Sequence, residues 1–341
     1  MSVDLTTRYL GMELKNPLVV SSCSLTGDLD TLHRLEEAGA AAVVLPSLFE
    51  EQIIHDSDEL IAEQEAGTES FAESLTYFPA MEDYGIGPDR YLHHVEEAKK
   101  ALSIPVIGSL NGFSRGGWVQ YARSMQDAGA DALELNIYFI STDPQISGER
   151  VEQQYLDLVA AVKESVSIPL AVKIGPYFSS LPNMAGRLAE AGADGLVLFN
   201  RFVQPDIDPE ALEATPKMVL SDPYEELVPL RWIAILHGRI SASLAMTGGI
   251  HTTEGAVKAL LAGADVTMLA SVLYQRGTKE LSTILRGIQN WLVRKDYSSV
   301  GQLKGSMSHQ NCPDPAAFER GNYAAALWSF QYDTTKDGRK K

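Results

Sequence analysis

Hydrophobic positions in this chain follow two spacings. Stretches with apolar residues three or four apart, as in TLHRLEEA (31–38), WVQYARSMQDA (118–128), MAGRLAEA (184–191) and AVKALLA (256–262), give way to runs that are apolar almost without a break. The first spacing predicts amphipathic helices, and the second predicts strands buried on both faces. Ala-Gly-Ala stands at such a junction four times, at 38–40, 128–130, 191–193 and 262–264. Glycine just past the last helical residue adopts a left-handed conformation at little cost. Each junction therefore reads as a helix C-cap and a tight turn into a strand. Two more strands open on proline, in SIPVIGSL (103–110) and SIPLAVKI (167–174), where no ladder donor is yet required.

Counted this way, strands are expected near 17–22, 41–47, 105–110, 131–137, 168–174, 194–200, 242–248 and 265–271. Eight strand–helix units in one chain of 341 residues predict an α/β fold, a (β/α)8 TIM barrel, over residues 1–300. A doubly wound open sheet is the rival architecture. The repeated turn then lies on the stability face, and the unequal gaps between repeats measure the loops on the other face. The longest gap, about 48–104 after the second strand, is an acidic, partly helical insertion of the kind that covers sites. YFISTDPQISGER after the fourth strand is a polar loop able to act as a lid. Residues 301–341 form a C-terminal helical extension, with Trp328 and Phe330 as its aromatic anchors against the barrel exterior or a partner.

Charge and composition narrow the function. The formal charge is −17, from 45 acidic against 28 basic residues, and such a surface repels phosphate backbones, so no nucleic-acid partner is expected. The two cysteines, Cys23 and Cys312, fit a reducing, cytoplasmic setting better than a disulfide framework. The opening residues lack a signal-peptide pattern, and no apolar run is long enough to span a membrane. The seven histidines show no metal-ligand spacing, and His93-His94 read as part of a solvated helix.

In a barrel of this type the chemistry gathers at the C-terminal ends of the strands. Those ends carry Ser21 and Ser22, Ser47, Asn111, Asn136 with Tyr138 and Phe139, Lys173, Asn200, Thr247-Gly248-Gly249 and Ala270-Ser271. Three amides able to donate and accept, converging with one ammonium, suit a planar heterocycle. The backbone N–H groups of the last two strand ends suit a phosphate. Each feature alone has a plainer reading, since strand-end asparagines often cap loops and Gly-Gly is usually a turn. A lysine inside a buried run is harder to dismiss, because an unpaired ammonium there is costly.

The ordered set NP…SS, VKIGPYF, FN, TGGI and AS, with IHTTEGAVKALLAGAD, resembles the FMN-dependent dihydroorotate dehydrogenases, closest to the class 1 type, over roughly residues 3–300. The resemblance implies an oxidoreductase acting on CH–CH groups, dihydroorotate to orotate in pyrimidine biosynthesis. It implies FMN held by Ser21, Ser22, Asn136, Lys173, Gly248, Gly249, Ala270 and Ser271. Substrate would lie on Asn111, Asn136 and Asn200. A homodimer and an electron-transfer partner are also implied.

The chain departs from the family pattern on the substrate side. NIYFIS (136–141) puts Phe139 at the position of the cysteine base, and Leu45 stands where a second flavin lysine is expected. MEDYGIGPDRYL (81–92) lacks the asparagine of the substrate loop. Tyr138, Ser141, Thr142 and Tyr84 are the candidate replacements for the base, alongside Lys173 as the catalytic cation. Three functions remain open at this stage: an FMN oxidoreductase on dihydroorotate or another small cyclic or unsaturated substrate; a non-catalytic flavin-binding or electron-transfer subunit; and a phosphate-binding barrel of aldolase or isomerase type with Lys173 as its amine.

Overall fold

A computed structural model describes residues 3–54, 87–114, 116, 119–320 and 323–329. The four Ala-Gly-Ala junctions fold alike. Gly39, Gly129, Gly192 and Gly263 take φ of +107°, +100°, +111° and +120°. The alanine after each donates its N–H back to the helix, to Leu35, Met125, Leu188 and Ala259 carbonyls at 3.0–3.1 Å. This is the six-to-one bond of a Schellman cap.

Eight parallel strands follow and close on themselves: β3 (Leu18–Val20), β4 (Ala42–Phe49), β5 (Val106–Asn111), β6 (Ala132–Asn136), β7 (Leu170–Ile174), β8 (Gly195–Leu198), β11 (Ser243–Thr247) and β12 (Val266–Leu269). Closure between β12 and β3 excludes the open sheet. The strand alternation sorts the side chains. Leu133, Leu135, Leu244 and Met246 face the helices in one large apolar cluster. Val19, Val44, Ile107, Ala132, Ala171, Val197 and Ala245 fill the barrel interior.

An aspartate after three of the four junctions adds a stitch. Asp131, Asp194 and Asp265 accept the N–H of Val106, Leu170 and Leu244 at 2.7, 2.8 and 2.7 Å. Each also pairs with a lysine, Lys99, Lys163 or Lys304, at 2.6–2.7 Å. The first junction has Ala41 there instead. Asp265 is the least exposed of the three, with its side chain 16% accessible. Asp265→Ala is expected to lower unfolding free energy by about 1.5–3 kcal/mol, the range for hydrogen bonds to a charged group. Urea titration checks this, and a loss under 0.5 kcal/mol (roughly the surface-substitution range) would contradict it.

Among the described residues, two hairpins lie outside the repeat. β1 (Thr7–Tyr9) and β2 (Met12–Leu14) plug the N-terminal end of the barrel, where Tyr9, Leu10 and Leu14 join the interior cluster. Thr7 Oγ1 donates to the Asp265 carbonyl at 2.8 Å, and Leu10 N–H donates to Ser243 Oγ at 3.2 Å. β9 (Gln204–Asp208) and β10 (Glu213–Lys217) rise from the loop after β8.

The helix Pro88–Ala101 leads into β5, and the connection between residues 55 and 86, including Tyr84, lies outside the described residues. His94 is half-buried, with its Nε2 bonded to the Thr26 carbonyl at 2.9 Å, while His93 is exposed. Past residue 300, backbone bonds fasten the chain to outer helices, Gly305 to Leu260, Met307 to Leu261 and His309 to Ala234, each at 2.9 Å. Trp328 is 87% exposed and so does not anchor this segment to the barrel, and Phe330 lies outside the described residues. Among the described residues no helix is long and apolar enough to cross a membrane.

Candidate active site

The same alternation that points Ala132 and Ala171 into the barrel points Glu134, Asn136 and Lys173 inward above them. Asn111 pairs in register with Asn136, and Asn136 with Lys173, so the three stand side by side on β5, β6 and β7. All three are buried. A register shift between Val44 and Ser47 interrupts β4. It brings Ser47 opposite Ser109, and a hydroxyl chain runs across three strands: Ser22 Oγ to Ser47 Oγ at 3.2 Å and on to Ser109 Oγ at 2.8 Å. Tyr91 OH brackets the Ser109 backbone.

Lys173 Nζ lies 3.4 Å from Glu134 Oε1, and Glu134 is 1% exposed. Three polar atoms around this pair have no partner within the protein: Glu134 Oε2, Asn136 Oδ1 and Asn200 Nδ2. Such atoms are rare in interiors, and three at one mouth mark a place for a ligand or ordered water.

The corner formed by β11 and β12 is tied together by Ser221. Its N–H donates to Ser271 Oγ at 3.0 Å, and its hydroxyl accepts the Gly249 N–H at 3.4 Å. Its hydroxyl also meets His251 Nε2 at 2.9 Å. Burial, with Arg276 nearby, holds His251 below the usual imidazole range, which favours the neutral ring. Ala270 is the N-cap of the helix Ser271–Arg276. Gly248, at φ +92°, has no atom within 4 Å of where a Cβ would stand, so open space lies beside its backbone.

Aromatic side chains form the rim. Phe139 stacks on Phe113 with centroids 5.5 Å apart, and Tyr138 tilts against Phe202 at 4.3 Å. Tyr138 is half-buried, whereas Ser141 is exposed farther along the loop. A cleft of about 510 Å³ runs between the β9–β10 hairpin and the mouth. Asn200, Thr247 and Gly248 line its inner end, and Lys217 and Met218 its outer end.

The dihydroorotate dehydrogenase family profile matches residues 4–292. The chain belongs to that family. Dihydroorotate dehydrogenase B (NAD(+)) catalytic subunits resemble it along nearly their whole length. The Thermoplasma acidophilum subunit is 28% identical over 312 residues, covering 89% of this chain and 98% of the relative. That of Methanosarcina acetivorans is 27% identical over 305 residues (88% and 94%), and that of Pyrococcus abyssi 27% over 313 (88% and 98%).

Within this barrel, Asn111, Asn136 and Lys173 stand side by side, and the structure adds two residues that sequence reasoning missed: Glu134 and Ser221. Glu134 carried a signal, since a lone carboxylate in the run ALELN must answer a charge. Leu45 does not occupy a lysine's place at the mouth. It is fully buried in the outer cluster, because the strand parity before the Pro46 irregularity turns it towards the helices.

Proposed function

We propose that this chain is an FMN-dependent oxidoreductase that moves a hydride between the flavin and a ring CH–CH bond of dihydroorotate, yielding orotate for pyrimidine biosynthesis. The observation that carries this reading is the pair of partnerless amide atoms, Asn136 Oδ1 and Asn200 Nδ2, beside the buried Lys173 ammonium. A planar heterocycle with alternating donors and acceptors satisfies all of them. The open space at left-handed Gly248 suits a phosphate approaching the backbone.

Ser21, Ser22, Asn136 and Lys173 would hold the ring of FMN, and Gly248, Gly249, Ala270 and Ser271 its phosphate. Bound FMN supplies the two-electron acceptor for the hydride. The chain's own residues do the rest. Asn111, Asn136 and Asn200 orient the substrate. Lys173 stabilises negative charge where it accumulates. The stacked Phe113 and Phe139 keep water from that side of the mouth.

Phe139 has no group that accepts a proton, so the C–H proton released as the hydride leaves passes to the phenolic oxygen of half-buried Tyr138, which hands its own proton on to water, with exposed Ser141 as the weaker candidate. The relatives are named as catalytic subunits, which supports an electron-transfer partner for this chain as well; a homodimer in the cytoplasm belongs to the same proposal. Family membership weighs against a phosphate-only barrel.

Anaerobic addition of dihydroorotate to the purified yellow protein is expected to bleach the flavin band. Tyr138→Phe is expected to slow that bleaching on the order of 10²-fold or more, as for loss of a positioned acid or base. A yellow protein that dihydroorotate never bleaches would remove this substrate. A colourless protein that refuses added FMN would overturn the flavin reading.

A further inference from the structure

We infer that Glu134 is a positioning residue that sets how much of the Lys173 charge reaches the flavin. The inference rests on the proposed FMN reading and deepens it. Glu134 stands in the middle of β6, with Ser109 and Ala171 as its register neighbours, at 1% exposure. A carboxylate in such a place is expensive unless it answers a charge. It does so with one oxygen only: Oε1 faces Lys173 Nζ at 3.4 Å, and Oε2 has no protein partner. Tyr9 OH, on the barrel plug, is another buried atom without a partner. Burial first, and then the charges of Glu134 and Asp265, push its phenol well up.

At 3.4 Å the contact is longer than the 2.7–2.9 Å of a tight charge-assisted bond. An ammonium has three donors, so the lysine is steadied by Glu134 without being used up. Lys173 beside the ring favours the electron-rich, reduced flavin. Glu134 behind it withdraws part of that effect, because opposite charges this close offset each other's reach. Removing the carboxylate charge while keeping its shape therefore exposes the ring to more of the lysine.

The experiment uses the FMN-loaded full chain and measures the flavin reduction equilibrium against reference dyes. Glu134→Gln is expected to shift it tenfold or more towards the reduced form, about 30 mV for a two-electron couple. In a Lys173→Met background the same replacement is expected to shift it less than twofold. Should Glu134→Gln not fold, Glu134→Asp carries the test, with the charge on a shorter arm and a smaller shift in the same direction. An unchanged equilibrium in the folded variant would overturn the inference. So would an equal shift in both backgrounds, which would mean that Glu134 acts on the ring without Lys173. Wild-type protein that takes up no FMN would be recognised from its spectrum before any variant is compared, and would sink the flavin reading itself.

Discussion

Lys173→Met is expected to cost the protein both its flavin chemistry and much of its stability. The lysine is the buried counter-ion of Glu134, whose side chain is 1% accessible. Removing one partner of a buried ion pair leaves the other uncompensated and typically costs about 3–5 kcal/mol. The same ammonium stands in register beside Asn136, whereas Arg201 lies 3.1 Å from Glu225. Loss of one such electrostatic stabiliser slows a reaction on the order of 10²–10³-fold. The two effects separate in the double variant: adding Glu134→Gln removes the stranded charge and restores most of the stability, while substrate-driven bleaching stays slow. Urea unfolding and stopped-flow reduction read the two quantities independently. A single variant that reduces its flavin at the wild-type rate would remove Lys173 from the chemistry.

The second large effect is expected at Gly249. Its φ is +76°, and a Cβ there would stand 2.3 Å from Glu226 N and 3.0 Å from Glu225 C. These are backbone atoms of the short 3-10 turn Pro223–Glu226, so no side chain can swing aside. Gly249→Ala thus combines left-handed strain with overpacking, about 2–5 kcal/mol together. The displaced turn is joined through Asp222 to Ser221, which ties Gly249 to Ser271. FMN affinity is expected to fall on the order of 100-fold, equivalent to one or two hydrogen bonds to a charged group. Gly248→Ala is the contrast, since its Cβ meets no protein atom within 4 Å. That variant pays only for its backbone angle, about 1–2 kcal/mol, and should fold yet bind FMN weakly. Fluorescence titration with FMN and thermal unfolding of both variants check the pair. Gly249→Ala with wild-type affinity would mean the phosphate lies elsewhere.

The barrel was legible in the sequence because its junctions repeat a chemistry. A glycine that must go left-handed, followed by a run buried on both faces, leaves few alternatives. The hairpins were not legible, for two different physical reasons. β1 and β2 are three residues each, too short for alternation to stand out. β9 is exposed throughout, and β10 carries a proline, so neither buries a face that would stamp a period on the sequence. In the site, strand ends could be read off directly, which is why Asn111, Asn136, Lys173 and Asn200 were found. Glu134 lies two residues before a strand end and Ser221 in an irregular segment, and what gives each its place is a partner distant in sequence: Lys173 for the first, His251 and Ser271 for the second.

The plug at the barrel floor has a consequence during synthesis. β1 and β2 leave the ribosome before every barrel strand, yet Thr7 waits for Asp265 and Leu10 for Ser243. Asp4 makes its backbone bonds with Ser298 and Val300. At 5–20 residues per second, translating those intervening residues takes roughly 15–60 s. Throughout that interval Tyr9, Leu10 and Leu14 have no barrel to enter. The nascent chain carries its apolar hairpin unburied for that time, and a polypeptide stalled before Ser298 lacks the residues that pin the floor in place.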